Sequence, residues 1–132
     1  METYIQQEDI TVFGKQVRTF PNGIPQAFEA LTKDVGEGRV FYGISWLDDK
    51  DSVVYYAAAA EKFAGEAKQF SFETFVIEKG EYYSQALHNW MSNTDKIKEF
   101  FSSLMPQIWP NRSHPCIEWY QSNIDMLCMV KK

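Results

Sequence analysis

This 132-residue sequence has few of the residues that mark disulfide-rich or metal-binding proteins. Its two cysteines, Cys116 and Cys128, are too few for a disulfide framework, and their spacing differs from that of a Cys-x-x-Cys zinc site. The two histidines, His88 and His114, form no His-x-x-x-His pair. We therefore expect no metal and no other cofactor, and we interpret both cysteines as small apolar strand residues.

Basic residues and long apolar runs are also scarce. Thirteen Lys and Arg residues stand against eighteen Asp and Glu residues, for a net charge of −5, and no basic stripe is present that could follow phosphates. The amino-terminal segment lacks the basic start and apolar run of a signal peptide, and no stretch approaches the roughly 18 apolar residues of a membrane span. We expect a cytoplasmic protein with no direct nucleic-acid or membrane partner.

Aromatic residues, in contrast, are abundant. The chain has four Trp, seven Tyr and ten Phe residues, and 45% of its residues are hydrophobic, which is sufficient for one compact domain over residues 1–132. Buried Tyr and Trp side chains must each find a partner for an O–H or N–H group. So many of them indicate that some line a cleft as well as the core.

The first half of the chain predicts a strand, a helix and a hairpin. Residues 10–20 alternate as in a strand. Apolar residues recur at helical spacing over 24–35, between Pro25 in the first turn and a terminating Gly36. Residues 39–47 and 52–62 flank a polar turn and predict a hairpin, in which the β-branched start of the second arm outweighs the helical propensity of its alanine run.

The second half repeats this order. Residues 70–79 and 82–90 predict strands, a helix begins at Asn93 or Thr94 and continues to Ile108 with Pro106 disturbing its last turn, and 114–130 predicts a second hairpin. We therefore predict an α+β fold made of a duplicated strand-helix-strand-strand unit, with halves of about 1–66 and 67–132. The antiparallel sheet would carry two helices on one face and a ligand cleft on the pseudo-twofold axis.

Glu118 is a carboxylate within an otherwise apolar strand, between Ile117 and Trp119. Because alternate strand residues share a face, Glu118 and Tyr120 point the same way. Such a glutamate either pairs with a cation, faces solvent or lines a site. The aromatic residues that could accompany it also have a simpler interpretation, as ordinary core or edge residues.

Short motifs in order along the chain resemble the GyrI-like family, the effector-binding domain of AraC- and MerR-type regulators. Gly80-Glu81-Tyr82 resembles the family's Gly-x-Tyr step, and Pro115 to Tyr120 resembles its Pro-x-x-Glu-x-Tyr strand. In the first half, Tyr42-Gly43 and the strand around Tyr56 are similar to the family's Tyr-Gly strand and its Ala-rich partner.

The resemblance implies a ligand-binding fold with an aromatic cleft that accepts many small apolar or cationic organic compounds. Glu118 would be the counter-charge at the base of that cleft, and aromatic faces would add cation–π attraction. The ligand-binding residues that we predict on this basis are Glu118, Tyr120, Tyr82, Trp90, Tyr42 and Trp46.

Two other functions remain open. The chain begins almost at its first strand without a helix-turn-helix, so we expect a stand-alone member of the family. Stand-alone relatives include hydrolases that open strained rings of DNA-alkylating natural products, in which Glu118 would be catalytic, and proteins that protect DNA gyrase. A binding protein is the interpretation we favour over an enzyme, and a protein partner such as a transcription regulator or gyrase is the remaining alternative.

Overall fold

The structure, a computed structural model, describes residues 2–20, 22–104, 108 and 110–132. Within these residues the chain forms eight strands, two α-helices and two short 3₁₀ turns. In chain order the strands and helices are β1 (Glu2–Gln6), β2 (Ile10–Gln16), α1 (Ile24–Val35), β3 (Phe41–Leu47), β4 (Val53–Ala60), β5 (Glu73–Ile77), β6 (Gly80–His88), α2 (Thr94–Leu104), β7 (Cys116–Tyr120) and β8 (Asp125–Lys131). The 3₁₀ turns are Glu66–Gln69 and Trp90–Ser92.

All eight strands join one antiparallel sheet in the order β1-β6-β8-β7-β3-β4-β2-β5. The sheet is curled into a half-barrel, and β1 and β5 are its two edges. This arrangement confirms the predicted α+β class and the antiparallel sheet. Neither described helix is long and apolar enough to cross a membrane.

Helix α1 begins and ends where the sequence indicates. Pro25 lies in its first turn, and Gly36 closes it at φ 91°, with its N–H donating to the Thr32 carbonyl at 2.8 Å. A positive φ of this size favours glycine, which has no Cβ. Leu31 and Val35 are buried against a cluster that contains Phe13 of β2, so the helix covers the first half of the sheet.

Helix α2 covers the second half on the same face. Its buried residues Phe100 and Leu104 pack with Cys128 of β8. Cys128 lies opposite Glu118, which lies opposite Gly43, in adjacent strands. Residues opposite each other in antiparallel strands share a face. Gly43 in turn lies opposite Ala57, which belongs to the buried cluster beneath α1, so both helices cover the same face. The part of the predicted helix around Pro106 lies outside the described residues.

On the other face of the sheet, neither of the two described α-helices packs. Its eleven-residue buried cluster comes entirely from strands and includes Ile44, Ile117 and Met129, each 3% exposed or less. These side chains are buried because the sheet curls over them. The two faces therefore have different covers: helices on one, the curl of the sheet on the other.

The alanine run Ala57–Ala60 is in β4, as predicted. Two strand predictions extended too far. Strand β2 ends at Gln16, and β6 ends at His88, so Trp90 is in a 3₁₀ turn. The chain leaves the extended conformation at Asn89, whose φ is 55°. Asn tolerates this left-handed conformation better than most residues.

Candidate functional site

The carboxylate of Glu118 is the centre of a small hydrogen-bonded group on the helix-covered face. Oε1 accepts a hydrogen bond from the Tyr55 hydroxyl at 2.7 Å and one from the Tyr120 hydroxyl at 2.8 Å. The two hydroxyl oxygens are 3.3 Å apart. Tyr55 is in β4 and Tyr120 in β7, so two strands fix the position of one carboxylate oxygen.

The second oxygen, Oε2, has a different environment. No group of the described residues donates a hydrogen bond to it, and no buried side-chain oxygen or nitrogen in that part of the chain lacks a partner. Oε2 therefore reaches solvent, in agreement with the partial exposure of the Glu118 side chain. None of the ion pairs among the described residues includes Glu118. The carboxylate thus has hydrogen-bond donors but no cationic partner in this part of the chain.

Gly43 makes room for this carboxylate. It lies opposite Glu118 in the β3–β7 register. A Cβ at position 43 would lie 2.3 Å from Glu118 Oε1 and 2.2 Å from the Tyr55 hydroxyl oxygen, far inside van der Waals distance. The site therefore needs glycine here because of the space available, at a backbone conformation that other residues could adopt.

Burial sets the protonation of these groups. Desolvation raises the pKa of Glu118 above its usual value, although the two phenol hydrogen bonds act in the opposite direction. Desolvation also raises the pKa values of Tyr55 and Tyr120, and the Glu118 charge raises both further. Both phenols are therefore protonated donors at neutral pH.

Burial disfavours the thiolate form of the two cysteines near Glu118, Cys116 and Cys128. Both are free and buried. Burial raises the pKa of Cys116 to about 12, and burial together with the Glu118 charge also raises that of Cys128. A thiolate, the reactive form, is therefore scarce at neutral pH. No group of three or more potential ligands for a metal ion occurs in the described part of the chain.

Aromatic rings surround the two tyrosines. Phe20 stacks on Tyr55 with ring centroids 5.3 Å apart, and Phe28 of α1 meets Tyr120 edge-on at 5.4 Å. Trp90, just before α2, lies 5.0 Å from Tyr120. Phe20, Phe28 and Trp90 are all partly exposed. The carboxylate is therefore bordered by rings from both halves of the chain, between α1 and the turn that leads into α2.

The six residues predicted as one ligand site do not lie together. Glu118, Tyr120 and Trp90 are on the helix-covered face, as described above. The other three belong to the strand-only cluster of the opposite face: Tyr42 and Tyr82 are buried in it, and Trp46 packs against it. Tyr42 lies opposite Trp119, and its neighbour Gly43 is the residue opposite Glu118, so Tyr42 and Glu118 point to opposite faces of the sheet.

Sequence reasoning missed Tyr55, Phe20 and Phe28 as neighbours of the carboxylate. Tyr55 is the most informative omission, because its hydroxyl bonds Glu118 directly. The alternation of the β3–β4 hairpin places Ser45 opposite Tyr55 and Gly43 opposite Ala57, all on one face. A correct register for that hairpin and for β3 against β7 would have identified it.

Two cavities occur away from Glu118. One, of about 350 Å³, lies between β6 and α2 and includes Leu87 and Phe100. The other, of about 560 Å³, lies beside β5 on the strand-only face and includes Ile44 and Ile117. Glu118 lines neither of them.

Neither the models of known protein families nor the sequences of curated proteins match this chain. Solved structures do. An integron cassette protein of Vibrio cholerae, VCH_CASS2, superposes with a TM-score of 0.66 at 12% identity, covering 99% of both chains. SAV2435, solved bound to tetraphenylphosphonium, has a TM-score of 0.64 at 15% identity, covering 99% of this chain and 94% of its own. A hydrolase from Listeria innocua has a TM-score of 0.56 at 13% identity, with 98% and 89% covered. At these identities the similarity shows a shared fold.

Proposed function

We propose that this protein binds a small hydrophobic organic cation against Glu118, between α1 and the turn that precedes α2. The observation that carries the proposal is the state of the Glu118 carboxylate. Tyr55 and Tyr120 hold Oε1, while Oε2 reaches solvent and forms no ion pair with a cationic side chain of the described residues. A partly buried carboxylate without a cationic partner is stabilised electrostatically when a positively charged ligand binds beside it.

The rings near the carboxylate support an organic cation over a metal ion. Phe20, Phe28 and Trp90 present partly exposed aromatic surface, and a cation held near a ring face gains roughly 0.5–2 kcal/mol. A metal ion would require several oxygen, nitrogen or sulfur ligands. Ring faces and one charge impose little directional demand, so the site would accept several ligands of similar size.

The shared fold adds to this proposal. SAV2435, which has the same fold, was solved with tetraphenylphosphonium, a lipophilic cation. The strand order also agrees with a duplicated unit. If each of β1–β4 is exchanged with its counterpart in β5–β8 (β1 with β5, β2 with β6, and so on), the same order results, read from the opposite edge of the sheet. Glu118 and Gly43 lie at the central β7–β3 pair, where the two halves of the sheet meet. We propose that the predicted cleft on the pseudo-twofold axis lies here, and membership of the GyrI-like family is part of the same proposal.

The proposed ligand site therefore retains Glu118, Tyr120 and Trp90 from the sequence-based set and adds Tyr55, Phe20 and Phe28. Tyr42, Trp46 and Tyr82 are separated from it by the sheet. A role for these three in ligand binding would require a separate site on the strand-only face.

Titration calorimetry with tetraphenylphosphonium and its uncharged analogue triphenylphosphine oxide tests the proposal. We expect saturable binding of the cation, and in Glu118→Gln a loss of affinity of about tenfold or more, because a partly buried charge pair is lost. The neutral analogue should bind both proteins alike. Asp49→Asn, which removes one negative charge from an exposed turn, is the matched control and should leave cation affinity unchanged.

A second pair of variants tests which face of the sheet binds the cation. Trp90→Leu should weaken cation binding severalfold, whereas Trp46→Leu, on the opposite face, should not. Equal effects of the two variants, or equal cation affinity in wild type and Glu118→Gln, would contradict the proposed site.

Hydrolysis is the second candidate function, and the environment of Glu118 favours it over other chemistries. A carboxylate with a raised pKa and one free oxygen is suited to act as a general base on water. The hydrolase from Listeria innocua shares the fold. Incubation with a cyclopropane-bearing alkylating compound, followed by mass spectrometry, distinguishes a hydrolase from a binding protein. A product with one added water that is absent with Glu118→Gln would identify an enzyme, and intact compound would leave a binding protein.

A further inference from the structure

The cavity of about 560 Å³ lies beside the free edge of β5, on the face of the sheet opposite Glu118. Its floor is apolar and comes from Ile44 and Ile117, and Phe75 and Ile77 of β5 add apolar surface. Its size is within the roughly 300–1,000 Å³ range of ligand sites. Consecutive residues of β5, from Thr74 to Glu78, line it, which indicates that the strand's backbone borders the cavity as well as its side chains.

Hydrogen bonding shows which backbone groups of β5 are free. The Thr11 carbonyl of β2 accepts from the Glu61 N–H, and the Val17 N–H donates to the Tyr55 carbonyl, so the odd residues of β2 bond toward β4. Because bonding alternates along an antiparallel strand, the even residues bond toward β5. Their partners there are Glu73, Phe75 and Ile77. The N–H and C=O groups of Thr74 and Val76 therefore point to the free edge, toward the cavity.

The two ends of this edge carry opposite charge. Arg112 is at the amino end of β5, where it pairs with Glu73 at 3.1 Å and lies over the Phe75 ring at 4.9 Å. A tight turn fixes its position, with the N–H groups of Ser113 and His114 donating to the Asn111 side chain. Asp9 and Glu78 line the cavity at the carboxyl end of β5.

This polarity selects one direction for an added strand. A peptide antiparallel to β5 places its amino end at Asp9 and Glu78 and its carboxyl end at Arg112. A basic group at the amino end and a carboxylate at the carboxyl end then each meet an opposite charge. The Arg112–Glu73 pair is about half exposed, so it opposes an incoming carboxylate only weakly.

We propose that the free edge of β5 is a peptide-binding site that takes a short extended segment, antiparallel to β5, with a basic amino end, apolar side chains toward Ile44 and Ile117, and an acidic carboxyl end. The backbone groups of Thr74 and Val76 supply main-chain hydrogen bonds, and the apolar floor and the charged ends select the sequence. This site lies on the opposite face from Glu118 and does not depend on ligand binding there.

Nuclear magnetic resonance with two pentapeptides of identical composition tests the proposal. Both are acetylated and amidated; one has the order Lys-Val-Thr-Val-Glu and the other Glu-Val-Thr-Val-Lys. We expect the first to shift the amide signals of Thr74 and Val76, to protect them from hydrogen exchange, and to bind about fivefold more tightly than the second, as two weak charge pairs allow. Absence of any change at these amides, or equal affinity for the two peptides, would overturn the proposal.

Val76→Pro is the informative variant. Proline removes an N–H that points to the free edge, and the bonds of β5 to β2 remain, so an edge strand tolerates it. Peptide binding should be lost, while unchanged amide signals outside β5, recorded on the same sample, verify that the fold is retained. Sedimentation of the unliganded protein completes the test: a dimer that Val76→Pro dissociates would make a second copy the occupant of this edge and would overturn the proposal of a peptide.

Discussion

Glu66 and Glu118 are two glutamates with opposite environments in this molecule. Glu66 follows β4, is 5% exposed, and forms two hydrogen bonds with the Arg39 guanidinium at 2.6 and 2.5 Å. Glu118 has two phenol donors and no cation among the described residues. The hydrogen bonds from Arg39 lower the pKa of Glu66 to about 2, while desolvation raises that of Glu118.

The Glu66 pair is built into the fold. Arg39 also donates from Nε to the Val35 carbonyl at 2.9 Å, at the end of α1, and from Nη1 to the Ala60 carbonyl at 3.3 Å, at the end of β4. The Lys62 N–H donates to Glu66 at 2.9 Å. All the charge and most of the hydrogen-bonding capacity of this pair are used internally. Glu118 has kept an accessible oxygen and an uncompensated charge, which is why we assign binding to it and a stabilising role to Glu66.

The largest expected effect is the loss of the Glu66 pair. Glu66→Gln leaves the buried Arg39 guanidinium without a counter-charge, and we expect a loss of about 3 kcal/mol in the free energy of unfolding. Urea denaturation measures this loss. In the double variant Arg39→Met with Glu66→Leu, both charges are removed and most of the stability should return. A Glu66→Gln protein as stable as wild type would contradict the structural role of the pair.

Gly43→Ala should have the next largest effect on stability, and it acts through Glu118. The new methyl group would overlap Tyr55 and Glu118, so the carboxylate must move, at a cost of about 1–3 kcal/mol in unfolding free energy. Because the carboxylate is displaced, the affinity for tetraphenylphosphonium should fall as well. Ser45→Ala, on the same face of β3, is the control and should change neither quantity. Unaltered cation affinity in Gly43→Ala would show that the position of the carboxylate is not critical.

Glu118→Gln should have a smaller effect on stability, and of opposite sign to that of Glu66→Gln. Removing a desolvated charge that lacks a cation, while keeping an oxygen that accepts from the two tyrosines, should raise the free energy of unfolding at neutral pH by about 0.5–1 kcal/mol. Urea denaturation in the absence of ligand measures it. A destabilisation like that of Glu66→Gln would assign both carboxylates a structural role.

The pH dependence of stability should distinguish Glu66 from Glu118 through the smallest of these expected differences. The pKa of Glu66 is lowered in the fold, so its stabilising contribution is present above the usual carboxyl pKa and is lost as the pH falls from about 4.5 toward 2. The pKa of Glu118 is raised, so its cost to folding is absent at low pH and appears as the pH rises above about 4.5 and through the raised value.

Unfolding free energies of wild type and the two glutamine variants, measured from about pH 3 to about pH 8, test these opposite trends. The stability difference between wild type and Glu66→Gln should shrink toward the acid end. The difference for Glu118→Gln should grow toward the alkaline end. Parallel profiles would show that the two carboxylates titrate in similar environments.

Much of the fold could be predicted from local patterns. The helix over 24–35, the strand character of the alanine run and the hairpin around Glu118 each depend on residues near one another in sequence, whose periodicity and turn residues are visible directly. Glu118 itself was recognisable because a carboxylate breaks an apolar strand pattern. Strand ends were less certain: Trp90 falls outside β6 because Asn89 adopts a left-handed conformation.

The composition of the site was decided by tertiary structure. Glu118 meets Tyr55 and Gly43 only through the pairing of β7 with β3 and of β3 with β4, and a shift of one residue in either register would turn these side chains to the other face. For the same reason the sequence could not show that Tyr42 and Tyr82 lie away from the carboxylate, or that Arg39 lies against Glu66. Local periodicity determines elements, whereas the meeting of distant side chains depends on register and on the curl of the sheet, which the whole packed structure sets.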